Sequence, residues 1–144
     1  MLKVAAVQMK MGDDMSTNRS RAEVLVREAA AGGAKMILLP ELFEGLYFCK
    51  DMDASYFDWA KPREGNALLQ QFSRLAKELN VVLLVSYFEK AGDEFFNSLV
   101  VIDSDGEILE NYRKTHIPDG PGYEEKFYFK PGNLGYSVFD TAYA

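Results

Sequence analysis

At 144 residues, 48% of them hydrophobic, the chain is long enough for one domain with a core of its own, and its composition is that of a soluble globular protein. The net charge of −6, with basic residues spread along the whole length, argues against nucleic acid or an acidic membrane as partner. The single cysteine, Cys49, excludes a disulfide framework, and no segment stays apolar long enough to cross a bilayer, so the sequence predicts a cytoplasmic protein.

Val4 to Met9 is an apolar run broken only by Gln8, which predicts a strand covered on both faces. Asp13 to Asn18 is turn-rich and offers Ser16 and Thr17 as helix N-caps. Ala22, Leu25, Val26 and Ala29 then recur at helical spacing, with Arg21, Glu23, Arg27 and Glu28 on the other side, and Gly32-Gly33 ends the helix. Met36 to Leu39 is a second short apolar strand, stopped by Pro40. Strand, helix, strand at these lengths predicts a βαβ unit with a parallel pair. Glu41 follows directly, at the carboxyl end of a strand, where open α/β sheets place their sites.

Leu42 to Trp59 is irregular and aromatic-rich, as a pocket wall or a packed loop would be. Asn66 caps a second helix, whose Leu68, Leu69, Phe72, Leu75, Ala76 and Leu79 form one stripe, and Asn80 suits a left-handed stop. Val81 to Val85 predicts a third buried strand. Phe95 to Ile102 and Glu107 to Tyr112 predict two more, joined through Asp103-Ser104-Asp105-Gly106 as a hairpin. The stretch Tyr112 to Gly132 has too much Gly and Pro for a helix or central strand and too many aromatics for a solvated linker. Such a loop is either functional or a surface loop pinned by its aromatics. Ser137 to Phe139 is a last extended piece.

Two ionisable groups stand just after strands, Glu41 and Lys114, and Glu125 and His116 share the long loop. A carboxylate beside a lysine can take a proton while the ammonium stabilises an oxyanion; a solvated strand end is the plainer reading of each residue alone. One His, one Cys and scattered acids lack metal-ligand spacing, and there is no glycine-rich phosphate loop, so neither metal nor cofactor is expected. Nothing in the sequence pairs Cys49 with His116, and Phe48 beside the thiol points to packing.

The segments VAAVQM, LLPELFEGLYFC, NSLVVIDSDGEILENYRKTHIP and EEKFYFKPGNLGYSVFDT together resemble the nitrilase superfamily of carbon–nitrogen hydrolases, in register over essentially the whole chain. Within it, ELFEGLYFC and HIPDGPGYEEKFYF are most similar to the N-carbamoylputrescine amidases of polyamine biosynthesis. The resemblance implies a single α/β domain over residues 1–144, about the N-terminal half of an αββα sandwich, with a mixed sheet and helices on one face. It also implies a soluble protein that in its full-length form is a homo-oligomer acting on a small carbamoylated amine. By motif, Glu41 matches the family's base, Lys114 its lysine and Glu125 its second glutamate. The nucleophilic cysteine of the family belongs to a later strand, and Cys49 does not match it, so residues 1–144 alone are expected to be inactive. Two alternatives remain. One is another ureido or amide hydrolase, of N-carbamoyl amino acid or β-ureidopropionate type. The other is a non-catalytic fragment or assembly partner.

Overall fold

The structure is a computed structural model that describes all of residues 1–144. Five strands form one mixed sheet in sequence order. Strands β1 (Val4–Ala6), β2 (Met36–Leu38) and β3 (Val82–Ala91) run parallel. Strands β4 (Glu94–Ile102) and β5 (Ile108–Arg113) complete an antiparallel meander. Helices α1 (Met15–Ala31) and α2 (Ala67–Leu79) make the two crossovers that parallel pairing requires.

Period-2 alternation divides the sheet into two unlike faces. Ile37, Leu83, Val85, Val100 and Ile102 point to the helices and meet Val26 of α1 and Leu68, Leu69, Phe72 and Leu75 of α2 in the main core. Each of these large side chains, fully buried, contributes about 1.5–3 kcal/mol relative to exposure. Neither α1 nor α2 covers the opposite face, so Val4 and Leu38 stand 66% and 42% exposed there.

That asymmetry corrects the expectation for the first strand. Ladder pairing covers only Val4–Ala6 of the apolar run Val4 to Met9, and the strand is covered on one face, not two. Val7 still donates its N–H to Leu38 O at 2.9 Å, while Val7 and Met9 pack against the core as irregular chain. The N-cap of α1 also lies two residues before Ser16 and three before Thr17: Asp14 Oδ1 accepts from Thr17 N–H at 2.6 Å. Asn66 caps α2 as expected, accepting from Leu68 and Leu69 N–H, and Asn80 ends it at φ 53°.

Strand β3 runs six residues beyond Val85, turning at Gly92 (φ 62°) into β4. Its polar members Ser86 and Glu89 are buried because distant segments satisfy them, which local periodicity does not register. Ser86 Oγ accepts from Leu42 N–H at 3.0 Å. Glu89 accepts from Ser98 Oγ at 2.5 Å, from Asn111 Nδ2 at 2.7 Å, and from Arg113 Nη2 and Nε at 2.6 and 2.9 Å. Together these bonds outweigh burial and hold the Glu89 carboxyl below its ordinary range.

A second core joins the two irregular stretches. Leu42, Phe48, Cys49, Phe88, Ile117, Tyr128 and Phe129 pack together, with the Phe48 ring stacked 5.1 Å from Phe88 and edge-on to Tyr128 at 4.9 Å. Leu42 to Trp59 is therefore chiefly a packed loop, with 3-10 turns at Phe48–Lys50 and Ala54–Trp59. The Gly/Pro-rich stretch holds one helical turn after all, α3 (Glu125–Tyr128), stabilised by docking rather than length. Ser137 to Phe139 joins no strand; beside it Tyr136 stacks on Tyr112 at 6.4 Å. No helix is long and apolar enough to cross a membrane.

Candidate active site

Two strand ends and one helical turn bring Glu41, Lys114 and Glu125 together. Glu41 leaves β2 through Leu39-Pro40, and Leu42 after it sits in the left-handed region at φ 51°. A leucine there costs about 1–3 kcal/mol, and its buried hydrogen bond to Ser86 Oγ together with its packing offsets that cost. Lys114 follows β5, with its N–H donating to Asn97 O and its carbonyl accepting from Gly132 N–H, each at 2.8 Å. Glu125 opens α3, and two bonds seat that turn. Glu124 N–H donates to Cys49 O at 2.6 Å, and Tyr128 Oη donates to Asp51 O at 2.6 Å.

The Lys114 ammonium lies between the two carboxylates, 3.0 Å from Glu41 Oε1 and 2.8 Å from Glu125 Oε2. Glu125 is buried, with a 5% exposed side chain, whereas that of Glu41 is 53% exposed. Burial would push the Lys114 ammonium down, but its bonds to Glu125 and Glu41 outweigh burial and hold it above its ordinary range. It is therefore a cation at neutral pH, suited to stabilising an oxyanion and not to acting as a base. Glu41, by contrast, has an edge open to a reactant. It faces a cavity of about 270 Å3 bounded by Asn97, Leu38, Leu99, Tyr112 and Lys114, on the sheet face away from the helices.

Other residues are placed differently. His116 is exposed and makes no side-chain hydrogen bond, so it is not the hydrogen-bonded structural group that a lone histidine more often is. Cys49 is fully buried in the second core, and burial, reinforced by the Glu125 and Glu41 carboxylates, pushes its thiol up to about 12. Such a thiol is a packing group and a poor nucleophile.

Three polar residues around the site escaped the sequence reading. Asn97 Nδ2 donates to Glu41 Oε1 at 2.6 Å, Ser86 pins Leu42, and Tyr47 Oη donates to Glu125 Oε1 at 3.2 Å. The available signal was polarity inside an apolar run, at Ser86 in LLVSYF and Asn97 in FFNSLVV.

Comparison with known proteins bears on the same segments. The carbon–nitrogen hydrolase family model matches residues 3–144. The chain is 52% identical to an N-carbamoylputrescine amidase of Arabidopsis thaliana, over 98% of this chain and 47% of that protein. It is 46% identical to a citrullinase of Francisella tularensis, over 99% of this chain and 50% of that protein. The crystal structure of a carbon–nitrogen hydrolase from Helicobacter pylori G27 superposes with a TM-score of 0.90 at 35% identity, covering 98% of this chain and 48% of that one. The chain thus spans about half the length of the curated relatives it matches.

Proposed function

The chain belongs to the carbon–nitrogen hydrolase family, and from that premise we propose that Glu41, Lys114 and Glu125 serve in hydrolysing a carbamoylated amine. N-carbamoylputrescine is the substrate of choice, giving putrescine, CO2 and ammonia. The observation that carries this reading is the Lys114 ammonium held between Glu41 at 3.0 Å and Glu125 at 2.8 Å, with Glu41 facing the cavity.

The geometry supports the following roles, which the family resemblance implies. As that resemblance implies, the nucleophile is a cysteine outside residues 1–144; the Cys49 thiol, buried and pushed up to about 12, is unsuited to that part. Glu41 takes that thiol's proton as sulfur bonds to the ureido carbonyl carbon, and Lys114 stabilises the oxyanion so formed. Collapse breaks the bond to the terminal nitrogen, which leaves as ammonia with the proton from Glu41 and leaves a thiocarbamoyl intermediate. Glu41 then draws a proton from water as it attacks, and returns it to the departing sulfur. The resulting N-substituted carbamic acid loses CO2 to give the amine. Glu125 holds Lys114 in place throughout.

Charge favours a cationic substrate. Two carboxylates against one ammonium leave the cluster acidic, which attracts the free ammonium of a carbamoylated diamine. A substrate carboxylate would need a free cation, and the two arginines outside the helices are committed elsewhere. Arg113 is paired with Glu89, and Arg63 donates to Ile108 and Leu109 carbonyls. The 46% identity to a citrullinase supports a second reading, in which the same site opens the ureido group of citrulline.

Ammonia release from N-carbamoylputrescine, citrulline and N-carbamoyl-β-alanine, by the protein at the full length of its relatives, tests the assignment. N-carbamoylputrescine should have the highest kcat/KM, by about tenfold or more. Preference for citrulline transfers the assignment to the second reading, and release from none of them overturns both.

A further inference from the structure

Asn97 touches both halves of the proposed machinery, and does so with different atoms. Its backbone carbonyl accepts from Lys114 N–H at 2.8 Å as part of the β4–β5 ladder. Its side-chain amide donates to Glu41 Oε1 at 2.6 Å. The same carboxylate oxygen accepts from Lys114 Nζ at 3.0 Å. Asn97 itself is 4% exposed, in the middle of β4 and on the sheet face that carries the cavity. An amide buried in a strand of Phe, Leu and Val is costly unless a partner satisfies it, and Glu41 is that partner.

We propose that Asn97 is the positioning residue of this site: a rigid strand residue that fixes the Glu41 carboxylate relative to Lys114. Glu41 needs such a device. It lies on an irregular segment after β2, its side chain is half exposed, and its only bonds are those to Lys114 and Asn97. Lys114 cannot fix it alone, because an ammonium on a four-carbon stem is a mobile donor already shared with Glu125. With both donors on Oε1, Oε2 is the oxygen left for the reacting proton. Asn97 thereby fixes which oxygen of Glu41 acts as base and where it lies.

This inference rests on the proposed roles of Glu41 and Lys114, and the experiment separates the two. Asn97→Ser removes the amide but keeps the backbone acceptor for Lys114, and Asn97→Asp keeps the shape but replaces the donor with a carboxylate. Both are assayed in the protein at the full length of its relatives, beside Glu41→Gln. Asn97→Ser should lower kcat by about 10–100-fold with KM changed less than about threefold, the pattern of a lost supporting contact. Asn97→Asp should be slower still, with the acid limb of its kcat/KM profile moved to higher pH, because a second carboxylate beside the first favours protonation of the pair. The charged and titratable groups facing Glu41 are Lys114, and behind it Glu125, Tyr47 and Cys49; they are the same in every variant.

If Glu41→Gln abolishes turnover while both Asn97 variants stay within about threefold of wild type, the positioning role is overturned and the underlying reading stands. If Glu41→Gln retains turnover, the underlying reading falls, and the positioning role with it. Should Asn97→Asp fail to fold, Asn97→Ser decides alone, through its kcat against KM.

Discussion

Arg113 and Lys114 are adjacent in sequence and serve opposite faces of the sheet. The Arg113 guanidinium is 2.6 Å from Glu89, beneath the cover of Phe96, whose ring centroid lies 4.0 Å away; the Lys114 ammonium reaches Glu41 at 3.0 Å on the face that carries the cavity. Alternation at the end of β5 thus places a buried structural ion pair directly behind the lysine of the candidate site.

Glu41→Gln and Lys114→Met test the two roles separately. Gln keeps the shape and the bond from Asn97 but cannot accept a proton, so kcat should fall by roughly 10²-fold or more with KM largely kept. Met keeps the length of the lysine stem and removes the charge, and a loss of similar order should follow. Steady-state ammonia release in the protein at the full length of its relatives measures both. His116→Gln should stay near wild type, since His116 is exposed and bonds to none of the three.

Removing one partner of the buried pair should destabilise the fold strongly. Arg113→Met leaves the Glu89 carboxylate, 4% exposed, without its guanidinium, at a cost of about 3–5 kcal/mol read by urea unfolding at pH 7. The pH dependence carries a definite sign. The folded Glu89 value lies below its ordinary 4.5. Its stabilisation is therefore fully present above about pH 4.5 and lost as pH falls through the lower folded value. Arg113→Met should flatten that acid loss, and an unchanged acid slope would count against it.

Gly132 packs tightly against the backbone of Arg113 and Lys114. A Cβ at Gly132 would collide with the Arg113 carbonyl oxygen, and the Gly132 N–H is the donor to Lys114 O at 2.8 Å. Gly132→Ala should displace the Lys114 backbone and lower kcat by about tenfold or more, with faster amide hydrogen exchange at position 132. An alanine variant with wild-type rate and exchange protection would contradict this coupling.

Cys49 should behave as a core thiol. With no exposed surface and a value raised to about 12, it should resist a thiol-specific disulfide reagent at pH 8 in the native protein. Reaction should appear on unfolding in urea. Rapid labelling under native conditions would remove the reason for assigning the nucleophile elsewhere.

The uncovered sheet face should drive a polypeptide of residues 1–144 to self-associate. Val4, Leu38, Leu84, Leu99 and Tyr112 share that face, and none of them is fully buried. Contiguous apolar surface of a few hundred Å2 promotes association. Light scattering should give a mass above one chain, reduced by Leu38→Lys; a monodisperse monomer with a sharp cooperative melt would argue against it.

What the sequence determined by itself was whatever local chemistry enforces. The α2 stripe, its Asn66 cap, the left-handed Asn80 and the 103–106 hairpin turn all follow from neighbours within a few residues. Motif resemblance singled out Glu41, Lys114 and Glu125, but no spacing along the chain told that 73 residues of separation close to 3.0 Å, or that Glu125 turns back to 2.8 Å from the same ammonium. Tertiary structure alone decided the rest. One face of the sheet received both helices, so a strand that reads as doubly covered is half exposed. Ser86, Glu89 and Asn97 sit in buried strands without being misplaced, because their partners come from Leu42, Arg113 and Glu41. A polar side chain inside an apolar strand is legible as an exception; which distant group satisfies it depends on sheet register and on the path of the loops. Those are set by the summed packing of the whole domain rather than by any local window.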